Sequence, residues 1–302
     1  MVDIIIFSFN RALQLEALLS SIKRYWKQPD YHVTIIYNTT NASFQKGYDI
    51  LQKEYPWCSF IKEVQRNQCW KSRDYFCLFN LKKMIRHPYL RLQKTDFRDK
   101  VIQTLNASEA GYVMFLTDDS AFFREVNLSR EDMSFIDANP AQHQISLRLG
   151  EKLSGKPAEI RENGGKLIWK FHQHRNVGSW GYNFSVDAHI YSAGCMKRIL
   201  QTVIFNNPSS LEVNVLYYAR KHKILDVGMT WKEPFLLSYP LNMVQRVENN
   251  ESMGISENLL NRLFLEGKRM QYIVPEEITK FQQYPESILL ISDNHKDLFK
   301  IK

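Results

Sequence analysis

No run of about 18 apolar residues occurs anywhere in the 302-residue chain, so no membrane-spanning helix is expected. Cysteine is scarce. The four present, Cys58, Cys69, Cys77 and Cys195, form no C-x-x-C pair, so free buried thiols are expected rather than a zinc site or a disulfide framework. The 12 glycines include no G-x-G-x-x-G and no G-x-x-x-x-G-K-[ST], which argues against the usual dinucleotide fold and against a P-loop NTPase. There is no Gly/Ser linker, no low-complexity segment and no internal repeat. The start, MVDIIIFSFNR, has an acid where a signal peptide carries positive charge, and its apolar run is too short for a signal. An intracellular, cytoplasmic protein is therefore expected.

What the chain does have is the composition of a globular protein, 44% hydrophobic and 13% aromatic, with length enough for a substantial core. Its formal charge of +8 points to an acidic partner, such as nucleotide phosphates or anionic lipid headgroups. The basic residues read as scattered, without a Lys/Arg block, and no nucleic-acid partner is expected.

DIIIFSF reads as a buried parallel strand and LQLEALLSSIKRYW as an amphipathic helix. HVTIIYN, FQKGYDILQKEY and SFIKEV continue as strand, helix and strand. FRDKVIQTLNASEA then leads, as a helix, into the strand YVMFLTDD. This alternation predicts an open, mainly parallel α/β sheet, whose ligands bind at the carboxyl ends of the strands. Ser8, Asn10, Arg11, Asn38, Thr39, Asp118 and Asp119 should therefore gather at one edge. In the second half, QISLRLG alternates, with Ile145, Leu147 and Leu149 on one face and Arg148 on the other. KLIWKFHQHR and SWGYNFSVDAHIY read as hairpin strands, and GCMKRILQTVIF as a helix. After Asn207 and Pro208 a serine-capped helix is expected, with Glu212 in its first turn.

Asp118-Asp119 is the strongest chemical signal. A solvated turn or a helix cap explains such a pair equally well on pattern alone. The apolar strand before it and the apolar SAFF after it favour a turn held against the core, where a hard cation could bridge carboxylates to a diphosphate.

YVMFLTDDSAFFREV resembles the D-x-D region of GT-A-fold glycosyltransferases, closest to the Glu-Asp-Asp variant of inverting N-acetylglucosaminyltransferases. IIIFSFNRALQLEALLSSI resembles the first strand and helix of those enzymes, and VTIIYNTTN the strand whose end contacts the nucleoside. SVDAHIYSAGCMKRIL followed by NNPSSLEVNV resembles the acceptor half, where a loop and helix present the catalytic carboxylate. The resemblance covers about residues 1 to 250 and rests on the order of the motifs.

It implies a GT-A (Rossmann-like) fold, an open mixed sheet flanked by helices in a single domain over 1–282. Residues 1–125 would be the nucleotide-binding half, 126–282 the acceptor half and 283–302 a C-terminal tail. It further implies a glycosyltransferase that moves a sugar, with inversion, from a nucleotide-diphosphate sugar to a glycan or lipid-linked glycan. Asp119 would hold Mn²⁺ or Mg²⁺, Asp118 would lie near the ribose and donor sugar, and Glu212 would be the base. Ser8, Asn10, Arg11 and Asn38 match nucleoside contacts by location. Thr117 and Asn38 stand where the family often has acids, and Ser120 leaves the literal D-x-D incomplete. Action in polysaccharide biosynthesis at the inner face of a membrane, with peripheral contact, is an expectation of the same resemblance.

Other candidates carry plain alternatives. Trp180 and Asp187 suit the floor of a sugar site, although a strand-packed tryptophan fits the pattern as well. Arg148 could steady the donor or pair with an acid. Gln245 and Arg246 could meet the acceptor or the diphosphate, although an ordinary surface arginine fits the pattern better. His172 and His174 read as exposed hairpin histidines, since no third ligand is apparent. Two rival functions share the same carboxylates. A sugar-phosphate nucleotidyltransferase would need a Gly-rich loop that FSFNRALQLE lacks, whereas a non-catalytic nucleotide-sugar binder is compatible with Ser120.

Overall fold

β1 (Val2–Phe9) is buried along almost its whole length, and its period of two divides its side chains between the faces of a sheet. Ile4 and Ile6 join a core with α1 (Ala12–Tyr25), β2 (Tyr31–Asn38) and α2 (Ala42–Glu54), while Ile5 and Phe7 face the opposite core. The computed structural model describes residues 1–174, 178–243, 252–292 and 295–300.

After β3 (Cys58–Lys62) come β4 (Gln65–Cys69), α3 (Ser72–Phe76), α4 (Leu78–Arg86) and β5 (Leu92–Thr95), a small excursion outside the main sheet. α5 (Phe97–Ala107), β6 (Tyr112–Thr117), β7 (Ser120–Phe122), α6 (Arg130–Ala138) and β8 (His143–Ser146) follow. Then come β9 (Arg161–Asn163), β10 (Lys166–Lys170), β11 (His189–Ser192), α7 (Ala193–Thr202), α8 (Pro208–His222) and β12 (Val227–Trp231). β13 (Leu236–Ser238), α9 (Glu257–Leu265), β14 (Arg269–Gln271), β15 (Ser287–Ser292) and β16 (His295–Lys300) complete the chain.

The main sheet has nine strands in the order β3-β2-β1-β6-β11-β8-β12-β10-β9. β1 runs parallel to β2 and β6, whereas β11 is antiparallel to both β6 and β8, so the sheet is mixed. This is the open mixed sheet flanked by helices, in one domain, that the resemblance implied. The mainly parallel arrangement expected from the strand–helix alternation holds for β3-β2-β1-β6, whereas β11, β10 and β9 pair antiparallel.

Three local expectations are corrected. β10 and β11 do not form a hairpin: β10 pairs with β9 and β12, and β11 with β6 and β8. Between them the chain forms 3-10 turns at Phe171–His174 and Gly178–Gly181, so His172 and His174 do not sit on a strand. His172 instead bonds Asp226 through both its backbone N–H and its ring. α8 is capped by Asn207, whose side chain accepts from Ser210 N, with Pro208 at the first helical position. Glu212 therefore lies beyond the first turn. The sequence did not reveal that Asn207, rather than a serine, supplies the better-placed acceptor.

Gly228 shows why small residues matter in the second half. It lies opposite Trp169 across the β10–β12 ladder, and a Cβ there would come within 2.5 Å of the indole. The segment expected as a C-terminal tail is folded. β15 pairs with β14 and β16, and Ile288 and Leu290 enter the main core. Among the described residues, no helix is long and apolar enough to cross a membrane.

Candidate active site

The register of β1 with β2 and β6 aligns their carboxyl ends. Ser8, Phe9, Arg11, Asn38, Thr117, Asp118 and Asp119 line one cavity there, with a volume of about 980 Å³. Arg148, Asp187 and Glu212 line it from the second half of the chain.

The Asp118-Asp119 turn is anchored from both sides. β7 follows it directly and is clipped antiparallel to β13, and Tyr239 N donates to the Asp119 carbonyl at 2.7 Å. The apolar SAFF is thus a short strand that fixes the turn. Asp118 is bonded within the protein. Its Oδ2 accepts from Ser8 Oγ (2.7 Å) and Phe9 N (3.2 Å), and its Oδ1 from Arg11 Nη1 (2.9 Å). Burial pushes its pKa up against the opposing pull of Arg11, while Asp119 adds to the rise. Asp118 therefore positions Arg11 and the end of β1 while also lining the cavity.

Arg11 is held from a second direction. Its Nε donates to Asn242 Oδ1 at 2.8 Å and its Nη2 to the Asn242 carbonyl at 2.5 Å. Burial alone would lower its pKa, but Asp118 and Asp119 more than offset this and leave it raised. Its Nη1 also reaches Asp119 Oδ2 at 3.3 Å.

Asp119 and Asp187 meet at Thr117. The Thr117 hydroxyl lies 2.8 Å from Asp119 Oδ1 and 2.9 Å from Asp187 Oδ1, but has one proton to donate between them. Arg148 Nη1 donates to the other Asp187 oxygen at 2.9 Å. Burial, with the nearby Asp119 charge, raises the Asp187 pKa against Arg148. Arg148 is 5% exposed, and its Nε has no hydrogen-bond partner among the described residues.

Glu212 Oε1 accepts from Ser185 Oγ (2.7 Å) and Val186 N (3.1 Å). Burial first, then repulsion from Asp187, pushes its pKa up to about 7, with Arg148 acting in the opposite sense. A carboxyl titrating near neutrality in a cleft is suited to moving a proton.

Among the described residues, no group of three or more His, Cys, Asp or Glu side chains is placed to hold a metal by itself. Asp119 and Asp187 still present two carboxylates to one point with a single hydroxyl proton between them. That hard-oxygen set fits Mg²⁺ or Mn²⁺ when phosphate and water complete the coordination.

Some expected residues fall elsewhere. Trp180 is fully buried against Trp169 and is not among the residues lining the cavity. Its backbone turn instead presents Gly178 and Ser179 to the cleft. Asn10, in the left-handed region at φ 58°, ties the β1 and β2 loops together: its side chain bonds Thr40 twice and Glu257 once. Asn38 lines the cavity, while its Oδ1 accepts from Thr39 N. Gln245 and Arg246 lie outside the described residues.

Three contributors gave no local signal. Tyr48, on α2, places its hydroxyl 2.6 Å from Ser8 Oγ and accepts from Arg11 N. Asn242 orients Arg11 from more than two hundred residues away. Glu63 lines the cavity near Asn38, and burial pushes its pKa up to about 7 despite hydrogen bonds from Thr95 and Asn38.

No protein-family model matches the chain. A curated relative, bifunctional glycosyltransferase pgtA of Dictyostelium discoideum, is 21% identical over 243 residues, covering 70% of this chain. The chain spans 28% of that relative's length. S. aureus TarS 1-349 in complex with UDP superposes with a TM-score of 0.44 and 13% identity, over 78% of this chain and 59% of that one. The mannosyltransferase PcManGT from Pyrobaculum calidifontis, in complex with GDP-Man and Mn²⁺, gives 0.35 and 11%, over 66% and 46%.

Proposed function

We propose that this chain is an inverting glycosyltransferase of GT-A type. It would transfer a sugar from a nucleotide-diphosphate sugar to a hydroxyl of a glycan or lipid-linked glycan. The observation that carries this reading is the pairing, in one cavity, of a converged Asp119/Asp187 pair with a separate carboxyl, Glu212, poised near neutrality. The distant likeness to a glycosyltransferase over 70% of the chain supports the same class.

The cavity volume suits a nucleotide sugar, since small-molecule sites run to about 1,000 Å³. Asn38 and Glu63, at the ends of β2 and β3, would read the base or ribose. Arg148 and Arg11, which line the cavity, would face the diphosphate. Asp119 and Asp187 would hold Mg²⁺ or Mn²⁺. When bound, such an ion would neutralise charge on the departing diphosphate.

In the reaction, the acceptor oxygen forms a bond to the anomeric carbon as the bond from that carbon to the diphosphate oxygen breaks. The acceptor proton passes to Glu212. Its Oε1 already accepts two hydrogen bonds, so Oε2 is the atom that takes the proton. Ser185 and Val186 fix the carboxyl's direction, which keeps proton transfer aligned with attack.

The test is Glu212→Gln. The amide oxygen can keep the bonds from Ser185 and Val186 but cannot accept the proton, so transfer should fall by about 10² to 10⁴-fold. Affinity for the nucleotide-diphosphate sugar should stay near the parent value. Turnover within a factor of a few of the parent would remove Glu212 from the mechanism, and inversion with it.

A further inference from the structure

The excursion from β4 to β5 carries a surface with no role in the cleft chemistry. The inner face of α4 is anchored. Met84 packs with Trp70, Leu90 and Ile204, and Asn80 donates to the Thr202 carbonyl and accepts from Ile204 N. The outer face is apolar and open: Leu78 is 60% exposed, Ile85 65%, and Phe76, just before the helix, 86%. With the exposed Leu81, the spacing i, i+3, i+7 aligns Leu78, Leu81 and Ile85 in one stripe.

Beside that stripe Lys82 and Arg86 are exposed on the same helix, as are Lys71 and Arg73 on the approach to it. Residues 64–94 hold eight lysines and arginines and a single acid, Asp74. Asp74 is buried in an ion pair with Arg98, so it does not offset the surface charge. Arg66 is ion-paired with Asp99 and Lys83 is buried, so the exposed basic residues of the segment are Lys71, Arg73, Lys82, Arg86, Arg91 and Lys94.

The same segment forms one wall of the cleft. Tyr89 and Lys94 line the cavity, and Asn206 Nδ2 donates to the carbonyls of Tyr89 and Leu92 at 3.1 and 2.8 Å. Asn206 immediately precedes the cap of α8, the helix that bears Glu212.

We propose that Phe76 and the outer face of α4 dock on the surface of an anionic phospholipid bilayer, which would bring the Tyr89–Lys94 wall of the cleft to headgroup level. A short helix with a row of aliphatic and aromatic side chains beside a basic flank lies in a membrane interface by apolar insertion and attraction to anionic lipid. Apart from Phe76 the row is aliphatic, and the tips of Leu78, Leu81 and Ile85 have no use on nucleic acid, which stacks on aromatic faces. A second copy would bring two basic flanks together. Docking stands without the transferase reading, which is needed only to say that the bilayer presents a lipid-linked acceptor.

The experiment is flotation of the full chain, without nucleotide sugar, on two kinds of vesicle. One is phosphatidylcholine alone and the other equimolar phosphatidylcholine and phosphatidylglycerol. The chain should float with the anionic vesicles, and both Leu78→Glu/Ile85→Glu and Lys82→Glu/Arg86→Glu should lower binding by about tenfold or more. All four positions are exposed, so the melting temperature should not move, and an unchanged melt shows that lost binding is not lost folding. Failure of the parent to float, or unchanged binding by either double variant, would overturn the proposal. So would a parent dimer that Leu78→Glu/Ile85→Glu makes monomeric and that never binds vesicles, because the apolar row would then be a contact between copies. None of these readouts depends on sugar transfer.

Discussion

Glu212, Asp187 and Arg148 form one electrostatic unit, and its behaviour follows from signs. Asp187 raises the Glu212 pKa and Arg148 lowers it, on top of the larger effect of burial. If Glu212 is the base, transfer should rise with pH through about 7 as the carboxylate form fills. Asp187→Asn removes the like charge, so the acid limb of the pH–rate profile should move to lower pH. An unmoved limb would show that the two carboxyls are not coupled. The same shift bears on stability. Glu212 titrates near 4.5 unfolded and about 7 folded, so between these values the native state binds more protons. Stability should then fall as pH rises through that window and stay reduced above it. Glu212→Gln abolishes this titration. Its melting temperature relative to the parent should therefore improve between about pH 5 and about pH 8.

At the scale of elements, the site depends on how two helices begin. α2 carries Tyr48 inward because Asn41 caps it, accepting from Ser43 N and Phe44 N, and Tyr48 stacks on Tyr37 of β2. α8 carries Glu212 because Asn207 and Ser210 close a capping box above Pro208. Asn207→Ala should cost about 1 kcal/mol in urea unfolding, within the range of about 0.5–2 for such caps. If the cap also directs Glu212, kcat should fall together with stability. A stability loss with unchanged kcat would confine Asn207 to folding. These elements were largely legible. The apolar runs of β1, β2 and β6 announced themselves because a strand covered on both faces has no reason to alternate. β10 and β11 read as a hairpin yet pair with other neighbours, because pairing is decided by which strand lies alongside, not by separation in sequence.

For the whole molecule, the expected measurement is ligand-linked stabilisation. A nucleotide-diphosphate sugar at about 100 Kd should raise stability by roughly 2.7 kcal/mol, read as a thermal shift enhanced by Mn²⁺. Asp119→Ala should abolish the Mn²⁺-dependent part while the apo melt stays cooperative. A full Mn²⁺-dependent shift in that variant would remove Asp119 as the metal-facing group. Assembly of the cleft from both halves of the sheet makes this a test of the entire fold. Arg11 is steadied by Asn242, and Thr117 lies between Asp119 and Asp187.

The amino-acid sequence by itself determined the alternating strands and helices of the first half, and with them the edge where Ser8, Arg11, Asn38, Asp118 and Asp119 collect. That followed because periodicity and strand direction are local, and parallel strands place their carboxyl ends together. Only tertiary structure decided how each carboxylate is engaged. Asp118 and Asp119 are neighbours of identical chemistry, yet Ser8, Phe9 and Arg11 bond the first, and the turn aims the second at Thr117 and Asp187. Likewise Trp180 went to the core, and Glu212 acquired its near-neutral pKa from burial and from Asp187. Desolvation and charge coupling act through space between residues far apart in the chain, so no local pattern in the sequence carries them.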